Sequence, residues 1–194
     1  FARYADDCNV YVGSMKAGER VMALLRQLYA KLKLQINEAK SAVTSAFGRK
    51  FLGYELWVAK GREVKCAVAH KAVDDFKARI RQLTRRSGGR SMQQVVDRLR
   101  SYLLGWKAYF GLAQTPRIWR ELDEWLRHRL RAVQLKHWKQ PKTVYRELKA
   151  LGATEDVAKQ VAGNGRRWWR NSNGAIRRVL TIAYFDRLGL PRLS

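Results

Sequence analysis

Acidic residues are scarce in this sequence. Only 16 Asp and Glu stand against 40 Lys and Arg in 194 residues, a formal charge of +24 at pH 7. That imbalance excludes an ordinary neutral enzyme of small metabolites, because so basic a surface needs anionic partners to relieve its self-repulsion; nucleic acid is the commonest and acidic lipid the second. Cysteine is scarcer still. The 2 cysteines, Cys8 and Cys66, form no CxxC pair, and the 3 histidines, His70, His128 and His137, fall at no zinc-finger spacing from either. Neither a disulfide framework nor a structural zinc site is indicated, and a reduced intracellular setting is expected. Long apolar runs are missing too: no stretch approaches the ~18 residues of a bilayer-spanning helix. No charged and apolar leader follows Phe1, which is itself not Met, so the chain is expected to be a piece of something longer.

What is present points to a folded protein. A hydrophobic share of 46%, with 7 Trp, 8 Tyr and 6 Phe, supplies apolar surface for a core. The charge is uneven: 12 basic and 6 acidic groups in residues 1–69, 20 and 7 in residues 70–150, 8 and 3 in residues 151–194. More than half of the excess sits in the middle segment. Local patterning changes at the same place, from short β-prone runs with one helix to a mostly helical remainder, which predicts an α+β protein with a boundary near residue 70.

In the first part, Phe1–Tyr4 and Cys8–Val12 flank Ala5-Asp6-Asp7 and predict a hairpin with two carboxylates at its tip. Ser14 is a candidate cap for a helix over residues 16–32 with an apolar stripe of Val21, Leu24, Leu25, Leu28 and Leu32. Phe51–Val58 and Val64–Val68 around Lys60-Gly61 predict a second hairpin. In the second part, Ser91-Met92-Gln93-Gln94 fits a capping box ahead of Val95, Leu99, Tyr102, Leu103, Trp106 and Phe110, and Gly111 stops the run. Thr115-Pro116 begins another helix with Trp119, Leu122, Leu126, Leu130 and Val133 on one face and Arg120, Arg127 and Arg131 on another. Further helices are predicted over residues 142–151, 155–161 and 175–188, with residues 163–174 as the longest loop.

The chemistry concentrates at Asp6 and Asp7. Two adjacent carboxylates in a turn repel each other unless a cation neutralises them, and hard oxygen ligands suit hydrated Mg²⁺. A pair of such ions aligns the attacking and leaving oxygens of nucleotidyl transfer. Spacing alone leaves a solvated acidic turn equally open.

The block Phe1-Ala2-Arg3-Tyr4-Ala5-Asp6-Asp7 followed by an apolar strand resembles the YADD block of reverse transcriptases, in the form used by group II intron reverse transcriptases, or maturases. Residues 32–41 (LKLQINEAKS) resemble the loop after the palm helix, and Phe51-Leu52-Gly53-Tyr54 resembles the motif that grips the primer strand. The helical part, above all residues 101–131, is similar to the thumb, or maturase-specific X domain. The resemblance implies that residues 1–69 are the end of a reverse-transcriptase palm and residues 70–194 a helical thumb. It implies Asp6 and Asp7 as Mg²⁺ ligands, Lys40 as the acid that protonates pyrophosphate, and Phe51, Leu52, Gly53 and Tyr54 as the primer grip. Ordinary strand packing is the competing reading for the last four.

The implied partners are intron RNA and a duplex of RNA template and DNA primer, and the implied place is a bacterial cytoplasmic or organellar ribonucleoprotein. In the family a further catalytic Asp and the fingers precede YADD, so this chain is expected not to polymerise DNA without them. Glu19, Glu38, Glu55 and Glu63 are carboxylates without a motif to single one out as a substitute.

A second reading requires no catalysis: a basic helical module that binds RNA and serves splicing. Arg79, Arg81, Arg85, Arg86 and Arg90 cluster around Ser87-Gly88-Gly89, and Arg120, Arg127 and Arg131 line a helix. Arg166, Arg167 and Arg170 surround Trp168-Trp169, which suits stacking of an unpaired base, although at least one of the rings is expected to anchor the core. Trp106, Trp119 and Trp125 are expected in the core, His128 and His137 on helix surfaces. An endonuclease is disfavoured, since no Cys/His cluster follows the helical part.

Overall fold

The computed structural model describes residues 1–85, 89–164 and 167–194. It is the α+β protein the patterning predicts. In chain order the elements are β1 (Ala2–Tyr4), β2 (Asp7–Asn9), α1 (Met15–Lys31), β3 (Lys50–Phe51), β4 (Tyr54–Val58), β5 (Val64–Val68), α2 (His70–Leu83), α3 (Met92–Tyr109) and α4 (Pro116–Trp138). There follow α5 (Pro141–Ala150), α6 (Glu155–Gly163), α7 (Trp168–Asn171), a 3₁₀ turn at Ala175–Arg178, and α8 (Ile182–Arg187). β1 and β2 form one small sheet; the other has the strand order β3-β4-β5. By internal contacts the chain divides into two compact units, Phe1–Phe51 with Glu55–Val64, and Leu52–Tyr54 with Lys65–Ser194.

In the first unit, β1 and β2 pair antiparallel with Ala2 opposite Asn9 and Tyr4 opposite Asp7. Ala5, at φ 51°, and Asp6 make the two-residue turn, and Asp7 opens β2. The expected hairpin therefore forms. Ser14 caps α1 by accepting a hydrogen bond from the Ala17 N–H at 3.2 Å. Gly18 is buried, and a Cβ there would stand 2.5 Å from Val43 Cγ1, so the segment after the helix closes on it through that glycine. Arg26 and Glu38 tie the same segment with paired hydrogen bonds of 2.8 and 2.7 Å. Leu24, Leu28 and Leu32 of the α1 stripe remain exposed. The single strand expected over Phe51–Val58 is two strands, because Leu52 and Gly53 both take positive φ, 52° and 78°, in a two-residue turn from β3 to β4.

The second unit holds the core. Phe76 and Ile80 of α2, Val95, Val96, Leu99, Leu103 and Trp106 of α3, and Trp119, Leu122, Leu126, Leu130 and Val133 of α4 are all buried. The predicted periodicities are those of the buried faces. Trp106 is the hub, with its ring centroid 4.5 Å from Phe76, 4.7 Å from Phe110 and 5.3 Å from Trp119. The capping box at Ser91 forms in both directions: Ser91 Oγ accepts from the Gln94 N–H at 3.2 Å, and Gln94 Oε1 accepts from the Ser91 N–H at 3.0 Å. Thr115 precedes Pro116 as expected but makes no side-chain cap; its Oγ1 is buried without a hydrogen-bond partner among the described residues.

Two expectations near the end of the chain need correction. The stretch over residues 163–174 contains a helical turn, α7. The helix expected over residues 175–188 is instead the 3₁₀ turn and α8. The break lies at Leu180, which is fully buried and whose carbonyl accepts from Arg131 Nε at 2.8 Å, while Thr181 Oγ1 restarts the helix by accepting from the Tyr184 N–H at 3.3 Å. Beyond α8 the chain runs back over α3 and α4. Buried Asp123 accepts from the backbone N–H of Leu193 at 3.1 Å, from that of Ser194 at 3.0 Å and from Ser194 Oγ at 2.7 Å. Lys107 Nζ adds a bond to the Arg192 carbonyl at 3.0 Å.

Candidate nucleic-acid interface

Within the helical unit, the end of α2 and the start of α3 border an open groove of about 650 Å³, lined by Arg79, Gln82, Leu83, Arg85, Arg90 and Arg98. Its extension of about 370 Å³ is lined by Arg90, Gln94, Asp97 and Arg98. Among the described residues, the main groove is thus lined by four guanidinium groups, no carboxylate and no aromatic ring. Arg79 is oriented by its bond from Nη1 to Gln82 Oε1 at 3.1 Å. Guanidinium presents several N–H donors in one plane and matches phosphate oxygens in pairs. A lining that offers cationic donors without a stacking surface suits a phosphate backbone and not base edges.

Arg98 is the groove residue the sequence reading missed. The signal was present: in a helix capped at Ser91, Gln94 and Arg98 lie four residues apart on one face, about 100° around the helix from the buried Val95 and Leu99. Arg86 and Arg166, together with Ser87 and Gly88, lie outside the described residues. Arg81, Arg85, Arg120, Arg167 and Arg170 are exposed, and Arg90 is half-buried.

Two of the arginines expected on the RNA-facing surface are buried, Arg127 at 6% and Arg131 at 4% exposure. The helical spacing from Arg120 is correct, but from Leu130 to Leu135 every residue of α4 is buried, so the face that is open at Arg120 is covered further along. Arg127 Nη2 lies 3.7 Å from Asp123 Oδ1, and the Arg127 Nε is buried without a hydrogen-bond partner among the described residues. Arg131 points at the Leu180 carbonyl and sits 5.9 Å from the Phe185 ring. Burial, with Arg177 and Arg127 nearby, pushes its pKa down to about 10. Neither guanidinium reaches a ligand from the surface.

The tryptophans divide by role. Trp106 and Trp119 are buried as expected, whereas Trp125 is half-buried between Arg81, 5.6 Å from its centroid, and Arg129 at 5.7 Å. Arg129 Nε donates to Thr84 Oγ1 at 2.9 Å, which fixes it over the ring. Trp168 packs against the core with Lys136 Nζ 4.2 Å from its centroid, and Trp169 is exposed. One ring of that pair is thus an anchor, as anticipated. His128 is not a plain surface residue: it is half-buried and stacked on Trp169, while His137 is exposed.

In the first unit, Asp6 and Asp7 are exposed in and beside the β1–β2 turn. Among the described residues no group of three or more His, Cys, Asp or Glu gathers where it could hold a metal ion. The pair supplies at most part of a Mg²⁺ ligand set and does not by itself fit a closed site. Lys40 lies in an exposed turn whose N–H donates to the Asn37 carbonyl at 3.0 Å. Phe51 is half-buried in β3. Leu52, Gly53 and Tyr54 belong to the helical unit, where the Gly53 carbonyl accepts from the Ala69 N–H at 2.8 Å and a Cβ on Gly53 would meet Phe110 Cζ at 3.0 Å. The close approach that needs glycine is thus made by an aromatic ring of the same chain.

Residues 73–152 match the family model described as group II intron, maturase-specific domain. No curated protein matches the chain.

Proposed function

We propose, for a chain whose residues 73–152 carry the maturase-specific domain of group II introns, that its helical unit grips intron RNA through the phosphate backbone and thereby assists splicing. One observation carries this reading: the described residues that line the arginine groove, from Arg79 to Arg98, all fall inside the matched segment. Each phosphate neutralised there releases condensed counterions, so binding is driven by salt-sensitive, sequence-tolerant contacts. A folded RNA offers closely spaced phosphates wherever strands approach, and a cationic cleft lowers the cost of that approach.

The resemblance of the first unit to a palm supports a second role, RNA-directed DNA synthesis and intron mobility, for a longer protein that includes this chain. Asp6 and Asp7 would hold Mg²⁺ only with ligands that the described residues do not gather, so no step of synthesis is assigned to this chain. Lys40 and the residues from Phe51 to Tyr54 keep their proposed parts near pyrophosphate and primer only within that larger assembly.

The test compares binding of the purified chain to a group II intron RNA and to an unrelated structured RNA of equal length, at matched salt. Tighter binding to the intron is expected; equal affinity for both would reduce the chain to a general polyanion binder.

A further inference from the structure

Among the described residues no ring on which a base could stack lines the groove, but the helical unit has one elsewhere. Trp169 is 44% exposed, and its indole stacks on His128 with centroids 3.9 Å apart and planes 28° from parallel. Its backbone is held as firmly as its ring: the Trp169 carbonyl accepts from Ser172 Oγ at 2.6 Å and is hydrogen-bonded to His128 Nε2 at 2.9 Å. The adjacent Trp168 turns toward the core, so the two neighbours have opposite surroundings. On α4, Trp125, His128 and Arg129 share one face at i, i+3 and i+4, which continues the aromatic and cationic surface from Arg81 and Trp125 to Trp169. Arg167 and Arg170 flank the ring in the chain and are exposed.

From this geometry we propose that Trp169 is a stacking platform for an unpaired nucleobase of the RNA, backed by His128 and flanked by cations that meet the neighbouring phosphates. The proposal rests on the RNA-binding reading above and adds the class of nucleotide. A ring already fixed by its own chain loses little conformational freedom when a base is laid on its exposed surface. Bases inside an A-form duplex are stacked on one another and do not present their faces, so a platform of this kind selects unpaired nucleotides in loops, bulges or ends. The groove then reads backbone, and the platform reads single-strandedness.

The test measures binding of the whole chain, by fluorescence anisotropy, to a labelled oligouridylate and to a blunt RNA duplex of the same length. Trp169→Ala is expected to weaken oligouridylate binding by about 5- to 100-fold and to leave duplex binding unchanged. Trp169→Phe keeps a stacking ring and is expected to retain most of the affinity, and His128→Ala to lose less than Trp169→Ala. The platform is overturned if Trp169→Ala leaves the oligouridylate affinity as it was, or if both RNAs lose equally and Trp169→Phe restores neither. Loss of oligouridylate binding in Arg85→Ala/Arg90→Ala/Arg98→Ala with none in Trp169→Ala sinks the platform and spares the groove. A wild-type chain that binds neither RNA sinks both.

Discussion

The Tyr54 hydroxyl donates to the Tyr109 carbonyl, and the Tyr109 hydroxyl in turn donates at 3.0 Å to the carbonyl of Leu52, two residues before Tyr54. Burial pushes the Tyr54 phenol up from its ordinary pKa. Tyr54→Phe and Tyr109→Phe are each expected to lower stability by about 1 kcal/mol in urea denaturation. Gly53→Ala is expected to cost more, because φ +78° strains an L-residue by about 1–2 kcal/mol and its Cβ must displace the Phe110 ring. A Gly53→Ala protein as stable as wild type would contradict this packing.

Asp123 is buried and anchors the end of the chain, so its loss is expected to be costly. Removing its carboxylate takes away the anion 3.7 Å from buried Arg127 Nη2 and frees the N–H groups of Leu193 and Ser194. Asp123→Ala should therefore destabilise by about 3–5 kcal/mol. It should also speed hydrogen exchange at Leu193, and native-like exchange there would show that the end of the chain is held by something else.

Arg131 offers a pH signature. A base whose pKa is lower folded than unfolded disfavours the fold while charged, and stability returns as pH rises through its folded value, about 10. Wild type should therefore gain stability relative to Arg131→Met above that pH and not below it. Because the guanidinium is buried, Arg131→Met should leave RNA affinity intact, and a loss comparable to that of a groove arginine would restore the surface role the sequence suggested.

Asp6 and Asp7 separate the two functional readings. Asp6→Asn/Asp7→Asn is expected to leave RNA affinity undiminished, since the exposed pair repels phosphate. The wild-type chain with Mg²⁺ and a primed RNA template is expected to make no DNA. Robust primer extension by this polypeptide alone would refute the view that its ligand set is partial.

Much of this was legible in the sequence, for reasons that differ by element. Ser91 with Gln94, and the stripe from Trp119 to Val133, were readable because caps and helical faces are local patterns. The burial of Arg127 and Arg131 was not, because what covers them comes from Leu180, Phe185 and Leu193, some fifty or more residues later. The turn at Leu52-Gly53 was hidden for another reason: Leu at positive φ contradicts its own propensity, and tertiary bonds to Ala69 and Tyr109 help to hold that backbone. Arg98 stands in helical register with Gln94, a local pattern that the sequence itself carries.

The salt dependence of RNA binding tests the central claim most directly. Affinity of the chain for a group II intron RNA is measured across a range of KCl concentrations for wild type and for Arg85→Ala/Arg90→Ala/Arg98→Ala. If the groove grips phosphates, the variant binds more weakly and its slope of log K against log salt is shallower by about 2–3. An unchanged slope would place the RNA elsewhere on this basic surface.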